Sequence, residues 1–382
     1  MKNEYIVFGK PCIGEEEIDE VVDSLKKGWI GTGEKVGQFE RDFKKYKEIR
    51  SAVALHSCTA GLHLGLLALN LKPGDEVITA SLTFCATVNA IIHSAATPVI
   101  VDVDPGTMNI NVLEIEKKIN SHTKAIVVVH FAGRPCEMNE IMHLAHKHGL
   151  KVIEDCAHAI ETEYHGKKAG TIGDIGVFSF YATKNLSTGE GGMVISDNEE
   201  MMGKIKVLAL HGMDKDAWKR FSDDGYKHYE VVQPGFKYNM MDIQAAMGIH
   251  QLRKIERFYE KRKKIWDLYQ KEFSSLPIEM PLVIQSETKH ALHLFTVLVN
   301  ASRAGISRDQ FIQKLHERGV GTGVHYRCIP RHPIYQKMYQ WKTDDYPHAD
   351  KIGESTVSLP LSPGLSENDV DRIISEVKNC FR

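Results

Sequence analysis

No stretch of this 382-residue chain approaches the roughly 18 apolar residues that a membrane-spanning helix needs. Its opening residues, MKNEYIVFGK, lack the apolar core of a secretory leader. Neither sign of charge dominates. Lys+Arg at 48 against Asp+Glu at 50 leave a formal net charge of -2, so no global field gathers nucleic acid. Cysteine is scarce and unpatterned: the seven residues (12, 58, 85, 136, 156, 328 and 380) are odd in number and include no C-x-x-C. A reducing cytoplasm is therefore the simplest compartment. Internal repeats and low-complexity segments are absent too. What remains is an ordinary globular composition, 42% hydrophobic and 26% charged, in a chain long enough for two or three domains.

After a polar arm, short apolar runs alternate with helix-like segments from Ser51 to about Ser196. The expected strands are 51–55, 76–80, 97–103, 124–130, 151–154, 175–180 and 192–196. Several are rich in Val and Ile without alternation, the pattern of strands buried on both faces of a largely parallel sheet. Helices are expected at 60–70, 86–95, 112–119 and 137–147, and this order makes an α/β sandwich. Near Met247 the texture changes. Leu252, Ile255, Tyr259, Ile265, Leu268 and Tyr269 recur at helical spacing, which predicts a long amphipathic helix bridging to a smaller C-terminal domain. That domain should hold strands at 293–299 and 355–359, and two helices opening on capping boxes, Ser307 to Gln310 and Ser366 to Asp369. The division is thus an arm (1–33), a large domain (34–246) and a bridging helix with a small domain (247–382).

The most informative stretch is FSFYATKNLSTGEGG (178–192), where a strand ends in a polar turn presenting Lys184. Most lysines are solvated surface charges. This one stands at a buried strand end among Thr183, Asn185, Ser187 and Thr188, and decoration explains it poorly. An earlier run, KVIEDCAHA (151–159), ends in Glu154 and Asp155. A strand-end acid and a strand-end lysine are what pyridoxal 5'-phosphate (PLP) requires: the amine forms the Schiff base, and the carboxylate keeps the pyridine nitrogen protonated. Asp155 could instead cap the helix that follows it. His158 sits one helical turn on and is assigned to the phenolic oxygen of the ring.

A phosphate needs donors. HSCTAG (56–61) follows a strand and opens an apolar helix, so its backbone N–H groups suit an anion, although Ser57 or Thr59 could be a plain helix cap. Ser179 could add a hydroxyl. Phe84, directly after a strand, offers a flat face for the ring, although an isolated Phe is usually core. Other patterns carry less. GTGEKVG (31–37) has the wrong spacing for a dinucleotide fingerprint and follows no strand. His143, His146 and His148 lie on a polar helix end without a carboxylate pair, so no metal is expected. KRKK (261–264) reads as the solvated face of the bridging helix.

At these residues the chain resembles the PLP-dependent sugar aminotransferases of the DegT/DnrJ/StrS family, nearly end to end. The likeness runs through PCIGEEEI (11–18), GWIGTG (28–33), SCTAGLHL (57–64), SLTFCATVNA (81–90), VIEDCAHA (152–159), the lysine loop, the His211-Gly212 pair, GFKYNMMDIQAA (235–246), GVHYR (323–327) and SLPLSPGL (358–365). It implies the aspartate aminotransferase (type I PLP) fold, with a mostly parallel seven-stranded sheet in the large domain. It further implies that Lys184 is the Schiff-base lysine and proton shuttle, that Asp155 pairs with the pyridinium and that His158 stands where the family has Gln or His. Phe84 would stack on the ring, and Thr59, Ala60 and Ser179 would hold the phosphate. Asn239 would reach the phosphate from a neighbouring subunit of a homodimer. Trp29, His325 and Tyr326 would line the sugar-nucleotide pocket. The segment HGMDKDAWKR…PGFKYNM resembles the branch that makes 4-amino sugars.

Two departures stand out. Glu161-Thr162 replaces the family's usual Gly and small residue, which implies an altered turn. Arg327 replaces an apolar residue or proline and could retune the sugar pocket. The resemblance implies a cytoplasmic transaminase moving an amino group from L-glutamate to a nucleotide-linked 4-keto sugar, for a surface polysaccharide, lipopolysaccharide or related glycan, without nucleic acid or membrane as partner. A sugar 3-aminotransferase is the alternative. The similar 3-dehydratases carry His in place of the lysine, which Lys184 argues against. A non-catalytic regulator fits poorly with Lys184, Asp155 and Ser179 together.

Overall fold

All seven expected strands form one sheet in the computed structural model, which describes residues 4–214 and 229–382. They are β1 (Ser51–Leu55), β2 (Glu76–Ala80), β3 (Thr97–Val101), β4 (Thr123–Val129), β5 (Lys151–Asp155), β6 (Ile175–Ser179) and β7 (Gly192–Ser196). Their spatial order is β1-β7-β6-β5-β4-β2-β3. Neighbours from β6 through β3 pair in parallel, and β7 alone runs against both of its neighbours. The absence of alternation in the sequence has its cause here. In β4 every residue but Lys124 is buried, because helices cover both faces.

One face carries α3 (Cys58–Ala68), which joins Leu55, Val177 and Val194 in an apolar cluster. Part of the other is covered by the helix that follows the arm and by the bridging helix. With α1 (Glu15–Lys27) ahead of it, α2 (Glu34–Lys47) lays Val36, Phe39 and Phe43 against Phe178 and Phe180. The GTGEKVG segment is the start of α2. Its Gly33, Lys35 and Val36 N–H groups donate to the Asp242 carboxylate at 2.8, 3.3 and 3.0 Å, so the glycines serve a helix start.

Asp242 itself opens the bridging helix, Asp242–Phe273, some five residues before the change of texture at Met247. The charges of KRKK are not all solvated. Lys261, Lys263 and Lys264 are exposed, but Arg262 is 1% exposed. Position 262 falls on the apolar stripe of Ile255, Phe258, Ile265 and Tyr269, and the helix turns it inward. Beyond the bridge, strands Phe295–Leu298 and Thr356–Leu359 pair antiparallel around a core with Trp266, Tyr269 and Phe273. Both capping boxes, at Ser307 and Ser366, are formed. Residues Cys328, Ile329, Tyr335 and Ile352 pack instead with the β2–β4 side of the large sheet.

Among the described residues no helix is long and apolar enough to cross a membrane. All seven cysteines are free thiols.

Candidate active site

Parallel strands end at one edge of a sheet, and there the chain places its chemistry. β1 delivers Ser57, Cys58 and Thr59, β2 Phe84, β5 Asp155, and β6 Ser179 and then Lys184. These residues line one cavity of ≈ 370 Å³, together with Thr87, Tyr181, Glu190, His325 and Tyr326. That volume lies in the range of small-molecule sites. Gly192, the first residue of β7, makes the floor possible. A Cβ there would stand 2.5 Å from the Ser57 carbonyl carbon and 2.6 Å from the Cys58 nitrogen. Ser57 is also a helix cap, accepting the Ala60 N–H at 3.1 Å, so Ala60 is turned to the cap and does not line the cavity.

Lys184 keeps part of its surface open to the cavity, but protein surrounds its amine. Burial draws its pKa down to about 8, against the opposing pull of Cys58 and Asp155. Asp155 is fixed from two sides. Thr87 Oγ1–H donates to its Oδ2 at 2.9 Å and the Ala157 N–H to its Oδ1 at 3.1 Å. Burial pushes its pKa up, with those two bonds and the Lys184 charge pulling the other way. An acid so buried wants a cation or a protonated nitrogen beside it.

Three imidazoles stand near the amine. Burial, then the Lys184 charge, hold His158 and His293 well below the ordinary histidine range and His325 at about 3, so all three are neutral at pH 7. Their bonds set the tautomers. The Ala132 N–H donates to His158 Nδ1 at 3.2 Å, so His158 Nε2–H donates to the Tyr326 hydroxyl at 2.9 Å. His158 is buried behind Tyr326 and does not line the cavity, whereas the Tyr326 hydroxyl, its acceptor role filled, can donate into it. Phe84, 56% exposed, tilts at 41° against the Tyr326 ring with centroids 5.8 Å apart, and together they make an aromatic wall. His325 Nδ1 lies 2.9 Å from Ser358 Oγ.

Of the residues singled out in the sequence, the fold gathers Thr59, Phe84, Asp155, Ser179, Lys184, His325 and Tyr326 around the cavity. Trp29 and Asn239 do not line it within their own chain. Trp29 is 52% exposed, its indole N–H donating to the Thr32 carbonyl at 3.2 Å. Asn239 Nδ2 donates to Thr32 Oγ1 at 2.5 Å, and its Oδ1 is buried without a hydrogen-bond partner. Arg327 is exposed and also outside the lining. Of the segment His211–Arg220, positions 215–220 lie outside the described residues. Sequence reasoning missed Thr87, whose signal was a hydroxyl in the first turn of a helix leaving a strand end.

His143, His146 and His148 are exposed. The one trio of potential metal ligands among the described residues is buried: His130, Glu154 and Cys156. It is already saturated. The Cys136 N–H occupies His130 Nδ1, His130 Nε2–H donates to Glu154 at 3.0 Å, and three backbone N–H groups of residues 170–173 fill the rest of that carboxylate at 2.7–2.8 Å.

The donor set fits PLP: an amine near neutrality, a buried acid, an aromatic wall, and hydroxyls at a helix N-terminus share one cavity. Comparison with known proteins agrees. Residues 11–378 match the model of the DegT/DnrJ/EryC1/StrS aminotransferase family. An uncharacterized protein of Methanocaldococcus jannaschii is 51% identical over 369 residues, covering 97% of this chain and 96% of its own. The spore coat polysaccharide biosynthesis protein SpsC of Bacillus subtilis is 45% identical over 382 residues, 100% of this chain and 98% of its own. Among solved structures, the putative sugar aminotransferase Spr1654 of Streptococcus pneumoniae superposes with TM-score 0.92 in its PMP-form, at 34% identity and 98% coverage of both chains. Its PLP-form gives TM-score 0.91 at 33% identity, again covering 98% of each.

Proposed function

The chain belongs to the DegT/DnrJ/EryC1/StrS aminotransferase family and is a PLP-dependent transaminase of the type I fold, and we propose that it aminates a nucleotide-linked 4-keto sugar with L-glutamate as donor. The observation that carries this reading is that Lys184 and Asp155 line one cavity of ≈ 370 Å³ together with hydroxyls and aromatic rings. When bound, PLP supplies a ring able to hold the electron pair left as a donor carbon loses its proton. Lys184 would hold the cofactor through its amine and would also be the group that moves the proton. A pKa of about 8 leaves that amine close to the balance between base and acid that such transfer requires. Asp155, immobilised by Thr87 and Ala157, would hold the ring nitrogen. Phe84 would cover a ring face, and Thr59 and Ser179 would take the phosphate, whereas Ala60, its N–H spent on the Ser57 cap, would not. His158 acts at the phenolic side through the Tyr326 hydroxyl. His325 and Tyr326 exclude water and orient the sugar.

The same reading places the working unit in a homodimer. Asn239 has a buried, unpaired Oδ1 yet stands outside its own cavity, and Trp29 is exposed beside it. The residues Ile18, Val22 and Leu25 add an exposed apolar stripe along α1. Asn239 and Trp29 would then complete a partner's site. Sedimentation of the holoenzyme that gave only a 43.0 kDa species would remove the partner from the scheme. The three-part division at residues 33 and 246 and a cytoplasmic setting belong to this reading, supported by seven unpaired thiols. The kinship with SpsC supports an amino sugar destined for a polysaccharide or related glycan.

The deciding assay supplies UDP-, GDP- and dTDP-linked 4-keto and 3-keto sugars with glutamate and identifies the aminated carbon. Turnover confined to 3-keto sugars would transfer the assignment to a 3-aminotransferase. Turnover of neither class would remove the sugar nucleotide.

A further inference from the structure

Four side chains that take no part in the chemistry above meet behind the lysine loop. Arg262 comes from the bridging helix, Glu161 from the turn after β5, Asn185 from the position next to Lys184, and His293 from the entry to the small sheet. Arg262 Nη2–H donates to Glu161 Oε1. Glu161 Oε2 accepts Asn185 Nδ2–H at 2.9 Å, and the same amide donates to the Ala291 carbonyl at 2.9 Å. With both donor positions spent, Asn185 Oδ1 accepts His293 Nδ1–H at 2.9 Å. The His293 ring lies on His158 with centroids 4.5 Å apart. None of the four lines the cavity.

The amide of Asn185 has a single orientation. A flip would set its Nδ2–H groups against the His293 N–H and its oxygen against a carboxylate and a carbonyl. The neighbouring Lys184 is thereby anchored from outside the pocket. The ion pair itself is poorly explained by stability. Arg262 Nε and Nη1 are buried without a hydrogen bond, and a buried pair so incompletely satisfied tends to lose against an apolar substitute. Its geometry does have a use. Arg262 holds the Glu161 carboxylate where it can grip Asn185.

We propose that Arg262, Glu161, Asn185 and His293 form a positioning relay that fixes the Lys184 loop from behind and keeps the amine aligned for proton transfer. The relay ties the bridging helix and the small sheet to the lysine loop. It makes Glu161 a substitution with a purpose beyond altering a turn. It rests on the reading of Lys184 as the group that moves the proton.

The test uses the holoenzyme and a donor deuterated at Cα. Two charge-neutral double variants are compared. Glu161→Gln with Arg262→Met keeps a carbonyl for Asn185 and removes the buried charge, whereas Glu161→Ala with Arg262→Met balances charge but loses the grip. Asn185→Ala is the third variant. The donor half-reaction is followed by visible absorbance, with cofactor occupancy, thermal midpoint, KM and the isotope effect measured alongside. The Ala-containing double variant and Asn185→Ala should slow the half-reaction about 10- to 100-fold, the order that misplacing a reacting group produces. Their KM should stay within about twofold, cofactor should remain bound, and the isotope effect should rise. The Gln-containing variant should stay within about threefold of the wild type. Equal rates for the two double variants would overturn the relay, as would a wild-type rate and isotope effect in Asn185→Ala. Should Asn185→Ala not fold, the two double variants decide. An active Lys184→Ala control would instead topple the underlying reading of the lysine, a separate failure.

Discussion

Burial draws down the pKa of both Lys47 and Lys184, and of the two only Lys184 faces the cavity. Lys47, at the end of α2, is 1% exposed. Its ammonium donates to the Ile160 carbonyl at 3.2 Å and sits 4.8 Å from the centre of the Phe178 ring. Burial draws its pKa to about 8, as it does that of Lys184. By titration the two are twins. Their surroundings differ in the things chemistry needs: Lys184 opens on a space of ≈ 370 Å³ with Asp155 and hydroxyls around it, whereas Lys47 is closed off by carbonyl and ring. A depressed pKa therefore marks burial. It marks catalysis only with room for a substrate.

A second contrast runs along β5. Glu154 and Asp155 are adjacent and point to opposite faces. Burial alone would raise Glu154, but His130 and the backbone N–H groups of residues 170–173 outweigh it and hold its pKa below the usual range. Asp155 has fewer bonds and a raised pKa, and so keeps capacity for a ligand.

Swapping each lysine out is the most forceful way to break the first comparison. Lys184→Ala should abolish transamination to below about a thousandth of wild type, within the range that a positioned proton-transfer group contributes. Lys47→Met should keep kcat within about threefold while shifting the thermal midpoint. A Lys47→Met enzyme as dead as Lys184→Ala would end the distinction. The carboxylate pair should separate next. Asp155→Asn should cost about 100-fold in kcat and change the visible spectrum of the bound cofactor. Glu154→Gln should leave the folded enzyme active but cost about 2–3 kcal/mol of stability, because a single amide oxygen cannot satisfy the donors that now converge there. Denaturant unfolding and steady-state rates on the same preparations would show whether the roles are reversed.

The lysine and the acid were readable because each closes an apolar run that is buried on both faces. β1, β2 and β7 have the expected limits, β3, β5 and β6 differ by one or two residues at their C-terminal end, and β4 is displaced by one residue at both ends. The bridging helix began earlier than its apolar pattern because Asp242, a polar residue, starts it by capping α2. Arg262 was misjudged because charge was given more weight than position, although it lies seven residues past Ile255 and seven before Tyr269 on one stripe. The relay was out of reach. Residues 161, 185, 262 and 293 come from four segments, and no local pattern announces that Glu161 and Arg262 share a buried bond. Thr87 and the tautomer of His158 depend in the same way on what the fold brings beside them.

The smallest expected effect sharpens the likeness of the two lysines. In the cofactor-free protein both have folded pKa values near 8 against 10.5 for an unperturbed lysine. Below pH 8 folded and unfolded chains alike hold the proton, and each buried charge carries its full desolvation cost. Between pH 8 and 10.5 the unfolded chain binds more protons than the folded one, so stability rises with pH, by up to about 1.4 kcal/mol per pH unit for each lysine. Above 10.5 both forms are neutral and the gain is complete. Lys47→Met and Lys184→Met should each flatten the stability profile measured by denaturant unfolding at pH 7.5, 8.5 and 9.5, by similar amounts. Once PLP is bound the Lys184 share should vanish from the profile, because its nitrogen no longer titrates as a free amine, while that of Lys47 should persist. A profile in which cofactor erases both contributions would mean that the two sites are coupled, and that the wall of ring and carbonyl around Lys47 does not insulate it from the pocket.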